Sequence, residues 1–187
     1  MNIVRLAKLA VETHVLEGKI IAVPQGIPEK LLREKAGVFV SIFRSPRGTD
    51  AEQKRRTDAE KELRGCIGTY LPTRENIAQE IIYNAIASAT QDPRFASVIK
   101  EDLDKLSYTV YILASPEPIK TLEELDPKKY GIIVKTKDFP SRTGLLLPDL
   151  KGINTIDDQV FIACQKAGID PQKEELLIYR FKAEKYA

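Results

Sequence analysis

The residues in this chain best suited to chemistry lie in one short run, Arg64-Gly65-Cys66-Ile67-Gly68. A thiol between two glycines has no bulky neighbour along the chain. Glycines inside a strand usually mark a bulge or a close approach by a ligand or another backbone. An arginine two positions from a cysteine favours the thiolate if both side chains leave the strand on one face, as regular alternation requires; a bulge would undo that parity. The competing reading is a cysteine packed in a tight strand, since free cysteine is among the most buried residue types. Local sequence leaves both readings open. The only histidine, His14, lies on the apolar face of a helical pattern, where a ligand or general-base role competes with a plain packing role.

Other signatures are absent. No GxGxxG follows a strand and no GxxxxGK[ST] occurs, so a phosphate cradle is not supported. One histidine and two well-separated cysteines, Cys66 and Cys164, form neither a zinc cage nor a disulfide framework, and no metal or cofactor is expected. The chain has 187 residues, 43% hydrophobic and 30% charged, which suits a globular protein with one substantial core or two small ones. With 29 basic against 27 acidic residues, no global field recruits nucleic acid or an anionic membrane. No apolar run approaches the ~20 residues needed to span a bilayer, and no signal peptide is read at the start. The expectation is a soluble, cytoplasmic protein.

The elements that must position the glycine-flanked cysteine follow from periodicity. Ile3 to Leu16 has a helical apolar stripe, and Pro28 opens a short helix to about Ala36. Gly37–Arg44 and Leu63–Tyr70 read as strands. Between them Ser45 to Glu62 is almost entirely polar and reads as a solvated loop, in which Lys54-Arg55-Arg56 is balanced by nearby acids. Thr73 is the expected cap of a helix over Arg74–Gln91 whose inward stripe is Ile77, Ile81, Ile82, Ala85 and Ala89. A short helix near 97–106 and a strand, Ser107–Leu113, complete the first half.

Pro116 and Pro118 open a connector in which Thr121 and Glu124 have capping-box spacing. Strands Gly131–Thr136 and Gly144–Pro148 follow, then a helix capped by Thr155 with Cys164 facing inward, then strand Glu175–Phe181. Each half thus reads strand, strand ending in Leu-Pro, helix, strand, with Gly68 matching Gly144. The expected fold is α+β: residues 1–114 and 115–187 as two β-β-α-β pseudo-repeats sharing one antiparallel, curved and even barrel-like sheet, with helices packed outside.

Leu63-Arg64-Gly65-Cys66-Ile67-Gly68, followed by a helix and then Asp92-Pro93-Arg94-Phe95, closely resembles the AMMECR family. The resemblance covers nearly the whole chain, including TVYIL, the YGIIV…GLLLP hairpin and QKAGI, and is nearest to the prokaryotic branch, the A component of the AmmeMemoRadiSam system. It departs where Tyr130 replaces the commoner histidine of a His-Gly pair, and the charged loop is longer than usual. The resemblance implies a two-part α+β fold and a cleft lined by the hexapeptide, with a Memo-like protein and a radical-SAM enzyme as neighbours. It implies no reaction. Cys66 is the candidate nucleophile or thiol carrier. Leu63, Arg64, Gly65, Ile67, Gly68, Asp92 and Arg94 are the candidate binding residues. Asp92 and Arg94 join that cluster only if their turn folds against the hexapeptide strand; otherwise they merely pin a turn. Three functions are weighed: an accessory or binding component of a modification pathway, an enzyme using Cys66, and, third, a nucleic-acid-binding regulator.

Overall fold

The computed structural model describes residues 1–44 and 61–187. The Lys54-Arg55-Arg56 triplet and most of the Ser45–Glu62 stretch lie outside the described residues. The fold is α+β, and the chain divides into two units: Met1–Leu113 with Glu184–Ala187, and Ala114–Ala183.

In the first unit, helix α1 (Ile3–Glu17) starts at Asn2, whose side chain accepts from the Arg5 N–H, and stops at Gly18, whose left-handed φ of 69° frees it to cap the His14 carbonyl. A short helix α2 (Glu29–Arg33) leads into strand β1 (Gly37–Arg44); β2 (Glu62–Thr69), α3 (Ile77–Thr90) and β3 (Leu106–Leu113) follow. β1 runs antiparallel to both β2 and β3. Alternate residues Val38, Val40 and Ile42 of β1, opposite Ile112, Val110 and Tyr108 of β3, turn one face onto the core. There they meet Leu6, Ala10 and Val11 of α1 and Ile77, Ile81 and Ala85 of α3. The expected α3 stripe is therefore the observed one.

The second unit contains β4 (Glu117–Pro118), β5 (Gly131–Thr136), β6 (Thr143–Leu146), α4 (Ile156–Lys166) and β7 (Leu176–Phe181). Thr155 caps α4 in a full capping box with Asp158. Its core gathers Ile132, Val134, Leu146, Ala163 and Cys164. Cys164 is fully buried, and burial pushes its thiol pKa up, as expected of a small packed hydrophobe.

With a last strand β8 (Ala183–Tyr186), the strands form two four-stranded sheets, β2-β1-β3-β8 and β4-β7-β5-β6, where the sequence pattern predicts one shared sheet; neither closes into a barrel. Each half has its own helix and three strands, enough to cover one sheet face without borrowing. The two-proline connector gives only a two-residue edge strand, because proline has no N–H to continue a ladder. The pseudo-repeat itself is visible as strand order. In each unit the second, first and third strands lie side by side, β2-β1-β3 and β6-β5-β7. The fourth member comes from the segment following the other half's third strand: β8 (Ala183–Tyr186) lies beside β3, and β4 beside β7.

The glycine correspondence also shifts. A Cβ on Gly144 would sit 2.0 Å from the Ala163 carbonyl of α4, and one on Gly65 would sit 2.0 Å from the Ser88 carbonyl of α3. Gly65, rather than Gly68, is thus the counterpart of Gly144: each lets a helix backbone press against the second strand of its unit. Four residues before each contact, an amide side chain, Asn84 or Gln159, donates to a backbone carbonyl, of Val38 or Tyr130 respectively.

Candidate functional site

The hexapeptide occupies β2, the edge strand of the first sheet, and α3 lies along it. Register against β1 pairs Ile42 with Gly65 and Phe43 with Leu63, so Arg64 is the extra residue of a β-bulge. The bulge breaks the alternation that would have aligned Arg64 with Cys66. The Arg64 guanidinium instead donates to the Ser97 carbonyl at 3.2 Å and lies 3.8 Å from Asp102, which also pairs with Arg44. Gly68 faces Phe39, and a Cβ there would come within 2.3 Å of the Phe39 ring.

Cys66 is half-buried opposite Ser41, whose hydroxyl donates to Sγ at 3.2 Å. The Cys66 N–H donates to Asp92 Oδ2 at 2.8 Å. The Asp92-Pro93-Arg94-Phe95 turn therefore does fold against the hexapeptide strand. It also pins itself: Arg94 donates to Asp92 through Nε at 2.9 Å, Nη2 at 2.7 Å and its backbone N–H at 3.2 Å. Those Arg94 bonds, with the Cys66 N–H, outweigh burial and hold the Asp92 carboxyl down at about 2. Asp92 in turn raises the Arg94 pKa, with a smaller contribution from the charge on Cys66. Arg94 is thus a cation whose charge couples to Cys66, whereas Arg64 turns to Ser97 and Asp102. Arg94 is also half exposed, with 53% of its side chain open to solvent.

The remaining ties between helix and strand are polar. The Ile67 N–H donates to Ser88 Oγ at 2.8 Å, and that hydroxyl reaches the Val40 carbonyl at 2.7 Å, so it bridges the Val40–Ile67 rung. Asn84 Nδ2 donates to the Val38 carbonyl at 3.0 Å. Glu80 accepts from Thr69 Oγ1 at 2.7 Å, and from Thr73 N–H, Thr73 Oγ1 and Arg74 N–H at 2.8 Å each. Burial raises its pKa, but these bonds together lower it below the usual value.

Glu80, Asn84, Ser88 and Asp92 form a buried polar stripe recurring every fourth residue, beside the apolar one. Sequence reasoning saw only Asp92 among them. The signal was that constant spacing on the flank of the Ile/Ala face. Glu80 also displaces the expected cap: Thr73 and Arg74 are engaged by its carboxylate, and α3 starts three residues later, capped by Asn76.

The result is a thiol beside a hydroxyl donor and a guanidinium. The neighbouring carboxylate is saturated and stays ionised far below neutrality, so it is no proton acceptor near pH 7. His14 lies on α1, its Nδ1 buried without a partner, and makes none of these bonds. Tyr130 precedes β5 in the second unit, with the Arg180 guanidinium 4.8 Å from its ring centre. No helix among the described residues is long and apolar enough to cross a membrane.

Known proteins share this architecture. A Thermotoga maritima protein is 46% identical over 183 residues, covering 98% of this chain and 95% of its own. A Clostridium acetobutylicum protein is 40% identical over 98% of this chain, which spans only 35% of that longer protein. The crystal structure of an uncharacterised Pyrococcus horikoshii protein superposes with a TM-score of 0.83 at 32% identity, covering 98% of this chain and 88% of its own. The AMMECR1 family model matches residues 4–186, and with it the bulged, glycine-flanked cysteine strand and the DPRF turn that grips it have a family: the chain belongs to the AMMECR1 family.

Proposed function

We propose that this protein is a cytoplasmic accessory component of a modification pathway, and that a partner protein docks on the surface around the hexapeptide strand. The observation that carries this reading is the saturated Asp92. The carboxylate that accepts from the Cys66 N–H has its lone pairs committed to Cys66 and Arg94, so it serves as a scaffold rather than a base. Arg94, anchored from below and open above, supplies an oriented charge for a partner. The Clostridium acetobutylicum relative supports the same reading, because there the matched stretch forms 35% of a longer chain. A Memo-like protein and a radical-SAM enzyme are the partners to test first. Tagged protein is expected to retain one of them at moderate salt, and Arg94→Gln to release it. Loss of neither partner in Arg94→Gln, or retention of neither by the wild type, overturns the proposal.

A second reading, an enzyme with Cys66 as nucleophile or thiol carrier, is favoured by one observation. The Ser41 hydroxyl and the Arg94 charge both stabilise a thiolate at Sγ. The alkylation rate of Cys66 against pH, with buried Cys164 as internal control, tests it. A midpoint well below the free-thiol value of about 8.5 supports an activated thiolate. Reaction of both thiols only on unfolding removes this reading.

A further inference from the structure

We infer that the first unit carries a peptide-binding groove, separate from the hexapeptide, that takes an extended acidic stretch of a partner polypeptide by strand addition. The groove encloses about 770 Å³ and is lined by the segment Ile20–Val23 together with Lys35, Arg74, Gln79, Ile82 and Tyr83. None of the six hexapeptide residues lines it.

The segment after α1 is the first support. From Lys19 to Pro24 the chain has neither helix, strand nor turn. Its side chains nonetheless alternate: Ile20 and Ala22 are exposed, whereas Ile21 and Val23 are half-buried against the core. A period of two is the mark of extended backbone. Among the described residues no hydrogen bond engages the main chain of Ile20 to Val23. An extended run anchored on the core, lining an open groove and with its amides and carbonyls unspent, is a template for an added strand.

Charge supplies the second support. Neither the Lys35 nor the Arg74 side chain has an acidic partner among the described residues. Arg74 is stacked on Tyr83, its guanidinium carbon 3.8 Å from the ring centre. Stacking fixes the guanidinium plane and leaves its N–H fork free for a carboxylate. Glu75 also lines the groove and Glu80 accepts from its lining residues Thr73 and Arg74, so the attraction rests on the unpaired Lys35 and Arg74 side chains rather than on a net positive field. Ile20, 50% exposed, and the Tyr83 ring give the apolar contacts that alternate with acidic ones along an extended peptide. Unspent main-chain groups in an extended run favour a polypeptide over a single-stranded nucleic acid, which pairs through bases and phosphate instead.

The probe is a capped, fluorescein-labelled peptide of alternating valine and glutamate, eight residues long, titrated at low salt into the full chain. Expected are saturable binding, amide shifts in NMR confined to Ile20–Val23 and their neighbours, and affinity weakened about tenfold or more in the Lys35→Glu/Arg74→Glu double variant. The same peptide N-methylated at alternate amides should bind no better than background. Amide shifts elsewhere serve as the folding check on the variant. The inference is overturned if the glutamate peptide leaves the Ile20–Val23 amides unmoved, or if a lysine-for-glutamate peptide or the N-methylated one binds equally. It is likewise overturned if an oligouridylate occupies these residues more tightly. Because Cys66 and Arg94 are not in the groove, any of these results leaves the docking reading of the hexapeptide surface to its own test.

Discussion

The backbone N–H of Cys66 donates to the carboxylate of Asp92 at 2.8 Å, across 26 residues of chain. This bond makes one unit of two motifs separated in sequence by the whole of α3. It explains why Asp92 is buried yet charged: its oxygens are filled by Cys66 and by Arg94, and none is left for water.

Asp92→Asn should destabilise the first unit by about 1–3 kcal/mol at neutral pH, since it leaves Arg94 without its charge partner. Folding lowers this carboxyl from 3.8 to about 2. Its stabilising contribution is therefore complete above the ordinary value and declines as pH falls through the window toward about 2. Urea midpoints measured across that window should fall more steeply for the wild type than for the variant; parallel curves would refute the linkage.

Gly65→Ala places a methyl group 2.0 Å from the Ser88 carbonyl, a backbone atom that cannot swing aside. Forcing α3 off the strand should cost about 1–3 kcal/mol or more. Gly144→Ala should do the same to the second unit through Ala163, and thermal melts of both variants check the equivalence.

Ser88→Ala removes the hydroxyl that spans the Val40 carbonyl and the Ile67 N–H. Leaving the half-buried Ile67 N–H without this acceptor should cost about 1–3 kcal/mol. Hydrogen exchange is the informative readout: the Ile67 amide should lose protection well before amides on the β1–β3 side of the sheet.

Glu80→Gln replaces a carboxylate that accepts from Thr69, Thr73 and Arg74 by a neutral amide with a single oxygen, so its bonds to the Thr73 and Arg74 N–H groups lose their charge assistance. The expected effect is a loss of about 1–3 kcal/mol and fraying ahead of α3. Because folding lowers this carboxyl too, the wild type should lose the same contribution as pH drops below the usual glutamate value, and Glu80→Gln should not.

Periodicity carried the sequence reading far. The stripe Ile77, Ile81, Ile82, Ala85, Ala89 and the alternation in Gly37–Arg44 are local patterns, and each became the element it predicts. Strand partners are non-local, so the division into two sheets was not legible in patterns that suited one. The last strand, Ala183–Tyr186, is short and half charged, which is how an edge strand reads and also how a tail reads. At the site, Cys66, Asp92 and Arg94 were legible as residue types, and the contact between their motifs only as a condition. The bulge at Arg64 depends on how β1 and β2 register, so the guanidinium expected beside the thiol comes from Arg94 instead. The polar stripe on α3 was hidden because a buried glutamate and asparagine look like a solvent face until their strand partners are known.

The exchange of fourth strands sets an order on synthesis. β3 leaves the ribosome with Leu113, but the strand that covers its open edge starts at Ala183, 70 residues later. During translation the first sheet therefore spends several seconds, at about 5–20 residues per second, with an unprotected edge. Nascent-chain complexes stalled in that interval should be the most prone to aggregation and the most dependent on chaperones, and release of Tyr186 should end the vulnerability.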